Sequence, residues 1–196
     1  MWMVTPRSVG RVAYARMARD GVIRPLLPGQ ALPGDIEDVP AVRRAALARV
    51  LPAGTQATGL AAAWAHGVGD RPESLELRCH ARRRPRQANP PLMTTCHAVG
   101  VIPADDGTDL PVAPLPVALV DALRWGPLSD AVPTVAAALD RGLVTWADLE
   151  PWRRKAVSSR SPSNIHDAWT VLVTYRAIQR DTSTQGLRAP VTRRAS

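Results

Sequence analysis

The chain has 196 residues, 45% hydrophobic and 21% charged, an ordinary globular composition that excludes wholesale disorder. Its net charge of +8 favours anionic partners. No apolar stretch reaches the ~18 residues of a membrane-spanning helix, no basic leader precedes an apolar run, and two cysteines cannot build a disulfide framework; the expectation is a cytoplasmic chain with free thiols and no membrane partner.

Residues 7–19 read as one helix, with Val9, Val12, Ala13 and Met17 on an apolar face and Arg7, Arg11 and Arg19 opposite. Arg16 falls at the edge of the apolar stripe, and Gly21 ends the helix. Val22 to Leu27 and Gln30 to Leu32 flank Pro28-Gly29, which suits the centre of a type II turn, so a short hairpin is expected. A basic helix followed by a small hairpin is the second half of a winged helix-turn-helix. Pro33 to Pro40 is an acidic linker, and Asp38 is expected to cap a helix over Val39 to Leu51. Thr58 is expected to cap another over Gly59 to His66, which Gly67 ends.

Residues 74–79 alternate, with Leu75, Leu77 and Cys79 on one side and Glu76, Arg78 and His80 on the other, the pattern of a half-buried strand. Arg82-Arg83-Arg84-Pro85-Arg86 reads as a basic loop, Leu92 to Ile102 as a strand pair or one long strand, and Leu110-Pro111-Val112 as a short strand after an Asp-Asp-Gly turn. Helices then return: Val117 to Trp125 opened by Pro116, Asp130 to Arg141, and Trp146 to Lys155 behind a Thr145/Asp148 capping pair. A last helix, capped by Asn164, covers Ile165 to Gln179, and the basic tail from Asp181 is expected to be disordered.

Charge concentrates at the ends: +4 over residues 1–30, +7 over 151–196 and −3 between. The candidate DNA contacts are Arg7, Arg11, Arg16, Arg19 and Arg24, because a guanidinium fork fits both phosphates and the guanine edge. A solvated helix face is the competing reading. Arg82, Arg83, Arg84 and Arg86, and Arg153, Arg154 and Lys155, are candidates for contact with a partner or with phosphates; the second group also suits a helix C-terminus. Cys79-His80 and Cys96-His97 carry ligand-type side chains, but adjacent strand residues point to opposite faces, so no metal site and no cofactor is assigned. The chain lacks a phosphate loop, a Gly-x-Ser-x-Gly elbow and a His-Glu-x-x-His pair, and it is not read as an enzyme.

Several segments in this order carry a resemblance. They are Ala18-Arg19-Asp20-Gly21-Val22-Ile23-Arg24, Leu26-Leu27-Pro28-Gly29, Gly59 to Gly67, the strand and basic loop from Leu75 to Arg86, Leu115 to Leu123, and Val135 to Leu149. Between Val12 and Trp152 the chain resembles the AbiEi family of type IV toxin–antitoxin antitoxins, in the form common in actinobacteria. It departs from the family twice. The helices that precede the recognition helix have no counterpart before Val9, and Pro114-Leu115-Pro116-Val117-Ala118 replaces a Thr-Pro-x-Arg-Thr character.

The resemblance implies an α+β protein: an N-terminal winged helix-turn-helix, truncated or minimal, then a mixed domain of a small β-sheet with several helices. The divisions are 1–36 for the DNA-binding module, 37–157 for the antitoxin-type domain, 158–181 for an amphipathic helix and 182–196 for the tail. The implied function is an antitoxin that counters a nucleotidyltransferase toxin and represses its own operon. Its implied partners are double-stranded operator DNA, the cognate toxin and a second copy of the chain. The alternative is an interaction module that binds the toxin and does not touch DNA.

Overall fold

The computed structural model describes residues 3–80, 93–102, 111–158 and 165–186, with Met93 and 179–186 described by backbone alone; over them the chain is mixed α+β with two small sheets. Helix α1 (Pro6–Val9) opens on a capping box. The Thr5 side chain accepts from the Ser8 N–H at 3.2 Å, and the Ser8 hydroxyl accepts from the Thr5 N–H at 3.0 Å. Helix α2 (Arg11–Arg19) follows after Gly10 alone. The expected single helix over 7–19 is therefore interrupted. Gly10 sits at φ 83°, ψ 149°, a conformation that no helix contains.

The break also changes which face turns inward. On α2 the partly covered residues are Tyr14, Met17 and Ala18, spaced i, i+3 and i+4. The predicted apolar face is corrected accordingly: Val12 is 85% exposed, and Ala13 is exposed with it. The expected hairpin is present as β1 (Ile23–Leu27) and β2 (Gln30–Pro33), antiparallel, with Gly29 at φ 73° in the turn. Val4 adds an antiparallel bridge to Ala31 on the other edge of β2, through two backbone bonds of 2.9 Å.

The hairpin does not stand apart from the body. Leu26, Leu27 and Leu32 share one apolar cluster with Ala46 and Leu47 of α3 (Pro40–Val50), Trp64 of α4 (Gly59–Ala65) and Leu75 and Leu77 of β4 (Ser74–Cys79). Burying each such leucine contributes roughly 1.5–3 kcal/mol. Gln30 Nε2 also donates to the Ala46 carbonyl at 3.2 Å. Asp38 does not cap α3, whose N-cap is Val39. Arg43 instead takes both Asp38 oxygens, at 2.8 and 3.0 Å, and donates to the Trp64 carbonyl at 3.0 Å.

The second sheet runs β3 (Thr55–Thr58), β4, β5 (Met93–His97). β4 is central, and Arg78 is buried on it along with Leu75, Leu77 and Cys79, so the half-buried expectation fails because elements cover both faces. β3 pairs antiparallel to β4, and β5 pairs parallel to it, with Leu77 opposite Cys96. β4 and β5 are therefore not the two arms of a hairpin. Of the strand expected at Leu110–Val112, Leu110 lies outside the described residues, and Val112 makes a parallel bridge to Ala57.

Helix α5 (Leu115–Trp125) passes through the centre, packed by α4, β3, α6 (Leu128–Asp140), α7 (Trp146–Val157) and α8 (Ile165–Gly186). Every residue from Val117 to Arg124 is buried, the condition of a helix surrounded on all sides. α6 begins at Leu128, earlier than the Asp130 start expected. The Thr145/Asp148 box opens α7 as expected, with Thr145 N to Asp148 Oδ2 at 2.8 Å. α8 runs on to Gly186, past the expected end at Gln179 and into the segment read as tail. Among the described residues, no helix is long and apolar enough to cross a membrane.

Candidate functional site

Two features concentrate chemistry, one on the surface of α2 and one inside. On α2, Arg11, Arg16 and Arg19 are all exposed, and Arg7 is exposed on α1 beside them in sequence. Arg16 belongs to this outer face and not to the edge of an apolar stripe. Val12 and Ala15 lie among the arginines, so the face presents small apolar groups framed by guanidinium forks. Asp20, at the C-cap, draws on two of them: Arg16 Nε lies 3.5 Å and Arg19 Nε 3.3 Å from its carboxylate. Exposed pairs of this kind are weak and yield to competing anions. Arg24 is exposed on β1, where Nη2 donates to the Ile36 carbonyl at 2.6 Å and ties the hairpin to the following turn.

The interior feature is a polar cluster under α5. Asp121 is an acid inside the apolar run Leu119 to Leu123, and its Oδ2 accepts from Arg78 Nη1 and from the Thr58 hydroxyl, the latter at 2.6 Å. Burial pushes the Asp121 pKa up against the pull of Arg78 and Thr58. Thr58 stands at the N-cap of α4 but makes no capping bond; its hydroxyl is committed to Asp121. Arg78 also donates from Nε to the Gly100 carbonyl at 3.0 Å.

Two further titratable groups border the cluster. Burial, reinforced by the charge of Asp121, pushes the Glu76 carboxyl up to about 7. Its Oε2 is buried without a hydrogen-bond partner among the described residues. It packs against Gly59, where a Cβ would come within 2.1 Å of it. His97 stacks on Trp125, rings 3.6 Å apart and 5° from parallel. Burial, then Arg124 and Arg78, pull its pKa down to about 4. Arg124 lies over the same indole at 4.7 Å.

Beside the cluster is a cavity of about 270 Å³ between β4, the segment after β5, α5 and α7. Val117, Val120 and Trp152 supply apolar wall, and Arg78, Asp121, Arg124 and Lys155 supply charge.

The other predicted contact residues divide. Arg153 is tied to Glu150 by two bonds of 2.7 Å and lies over Trp169, and Arg154 reaches the same carboxylate at 3.1 Å. These guanidinium groups, Arg153 first, hold the Glu150 carboxyl down at about 2. Lys155 is exposed, lies 5.2 Å over Trp152 and borders the cavity. Arg82, Arg83, Arg84 and Arg86 lie outside the described residues.

Thr58, Arg78, His97, Asp121 and Arg124 were not singled out from the sequence as members of one site. The available signal was an acid inside the apolar run of α5, together with a basic residue inside a strand. Cys79 and Cys96 form no disulfide, and the described residues hold no group of three His, Cys, Asp or Glu placed to bind a metal. Compared with protein-family models, curated proteins and solved structures, the chain has no match.

Proposed function

We propose that the chain is the antitoxin of a type IV toxin–antitoxin pair and represses its own operon by binding upstream DNA through α2. The observation that carries the DNA-binding part is the outward arginine face of α2. A short helix precedes it across a one-residue turn, and a hairpin follows it. Val4 bridges Ala31 on β2, which is compatible with a third strand beside the hairpin. In a winged helix-turn-helix reading, α1 and α2 are the two helices of the motif, α2 enters the major groove and Pro28-Gly29 forms the tip of the wing.

Arg7, Arg11, Arg16 and Arg19 then contact phosphates and guanine edges, while Val12 and Ala15 meet thymine methyl groups. Arg24 steadies the wing. A palindromic operator would take two chains, one per half-site. The antitoxin role, and a nucleotidyltransferase toxin as the partner, rest on the family resemblance alone.

The test is fluorescence anisotropy of the chain on its own upstream duplex and on a scrambled duplex, across a salt series. The expected result is preference for its own DNA, with affinity falling steeply as salt rises. Equal weak binding to both duplexes would remove the repressor reading. A chain that binds the toxin without touching DNA would then stand, and its supporting observation is the exposed Val173 of α8 in a groove of about 580 Å³ lined also by Trp146 and Trp169.

A further inference from the structure

A cavity of about 360 Å³ lies where the covered face of α2 meets the hairpin and the segment before β4. Tyr14 enters it from α2, Pro25 and Leu27 from β1, and Arg71 and Glu73 from that segment. It therefore holds one cation and one carboxylate, and the two do not answer each other. Arg71 and Glu73 stand two residues apart in sequence yet form no ion pair, and Glu73 has no hydrogen-bond or ionic partner among the described residues.

Arg71 donates once, from Nη1 to the Pro25 carbonyl at 3.4 Å. That long bond sets the guanidinium against the hairpin and leaves four of its five donor hydrogens without an acceptor among the described residues. The Tyr14 phenol lies close enough to feel the charge: burial raises its pKa, and Arg71 pulls the other way. The phenol keeps its proton at neutral pH, so Tyr14 and Arg71 offer donors to the same anionic group. Leu27 is buried, and with Pro25 and Pro28 it supplies an apolar wall.

A cavity with one charge of each sign selects a ligand that carries both. A simple anion meets the repulsion of Glu73, and a simple cation that of Arg71. The volume stands at the low end of the range for ligand sites and suits a single small molecule. We propose that this cavity binds a free α-amino acid with an apolar side chain: Arg71 and Tyr14 take the carboxylate, Glu73 the ammonium, and Pro25, Leu27 and Pro28 the side chain. The site stands independently of the DNA-binding reading, because it uses none of the outward arginines of α2. Arg71 and Glu73 are exposed and water screens them, so the affinity is modest.

The experiment is isothermal titration of the full chain with L-phenylalanine and L-leucine. Two analogues each lack one charge: 3-phenylpropanoate has no ammonium and phenethylamine no carboxylate. At least one amino acid should saturate one site per chain with a millimolar or tighter Kd, and each analogue should bind about tenfold more weakly than L-phenylalanine or not at all. Arg71→Gln should remove the advantage of L-phenylalanine over phenethylamine, and Glu73→Gln its advantage over 3-phenylpropanoate. Both residues are exposed, so neither variant disturbs the core. Arg49→Gln, on the exposed side of α3 and outside the cavity, should leave binding unchanged and so separates the site from general attraction to a +8 chain. The proposal falls if neither amino acid saturates, if either analogue binds as tightly as L-phenylalanine, or if Arg49→Gln weakens binding as much as Arg71→Gln.

Discussion

At Asp121 one carboxylate answers one guanidinium in the centre of the protein, and its removal has a definite sign. Asp121→Ala leaves the Arg78 charge buried without its counter-ion, and the expected loss is about 3–5 kcal/mol of stability. Thr58→Val removes a single hydrogen bond to the same oxygen and is expected to cost about 1 kcal/mol. Urea unfolding of both variants checks the ordering; equal losses would mean that Asp121 carries no more than a hydrogen bond. Glu76 and His97 act on pH dependence in opposite directions. The folded Glu76 holds its proton up to about pH 7, against its ordinary 4.5. Its contribution is complete below pH 4.5 and is lost as pH rises to 7, a fall of about 3 kcal/mol. The folded His97 gives up its proton near pH 4 instead of 6.5, so its contribution is present above 6.5 and is lost as pH falls toward 4. Glu76→Gln should therefore gain on the wild type as pH rises from 4.5 to 7, and His97→Phe should gain on it as pH falls from 6.5 to 4. Urea midpoints measured across that range decide it, and profiles parallel to the wild type would refute both assignments.

Among the elements, α1 and α2 depend on one residue. Gly10, at φ 83° and ψ 149°, occupies backbone space reserved almost entirely for glycine. Gly10→Ala strains it by about 1–3 kcal/mol or lets the two helices run together. Either outcome displaces the Arg7 end of α1 from α2, so the expected result is a lower Tm and loss of preference for the chain's own DNA. An unchanged preference would mean that the angle between α1 and α2 plays no part in recognition. Gly10 also shows where local sequence reading stops. A lone glycine is tolerated inside a helical pattern, so the 3.6-residue period carried the predicted helix across it and turned Val12 inward. The Pro28-Gly29 hairpin and the Thr145/Asp148 box were legible because their cause lies within a few residues. The parallel pairing of β4 with β5 was not, since it is made by contacts across a connection of thirteen residues. The interior cluster was hidden for the same reason. Thr58 reads as a cap, and nothing near it in sequence ties it to Asp121 until the fold brings them to 2.6 Å.

Across the whole molecule, the hairpin behind α2 is built into the same apolar cluster as α3, α4 and β4, so the arginine face is carried on the core and not on a tether. If α2 binds DNA as proposed, a rigid mount of this kind would hold the register between helix and hairpin, which phosphate contacts need in order to position base contacts. The local charge balance of α2 would then be the main variable for affinity. Asp20 is the only acid within residues 1–30, and it occupies Arg16 and Arg19 at 3.5 and 3.3 Å. A phosphate must displace it to reach either guanidinium. Asp20→Asn removes that competition and one repulsive charge, without touching the core. The expected outcome in the anisotropy assay is tighter binding to both duplexes by several-fold at low salt. The gain should shrink as salt rises, because the added attraction is itself screened. Arg19→Gln should do the opposite, lowering the salt slope by about one contact. If Asp20→Asn leaves affinity unchanged on both duplexes while Gly10→Ala abolishes the preference, the groove is read through Arg7 of α1 and Arg11 and Val12 of α2, and the C-terminal end of α2 faces away from the DNA.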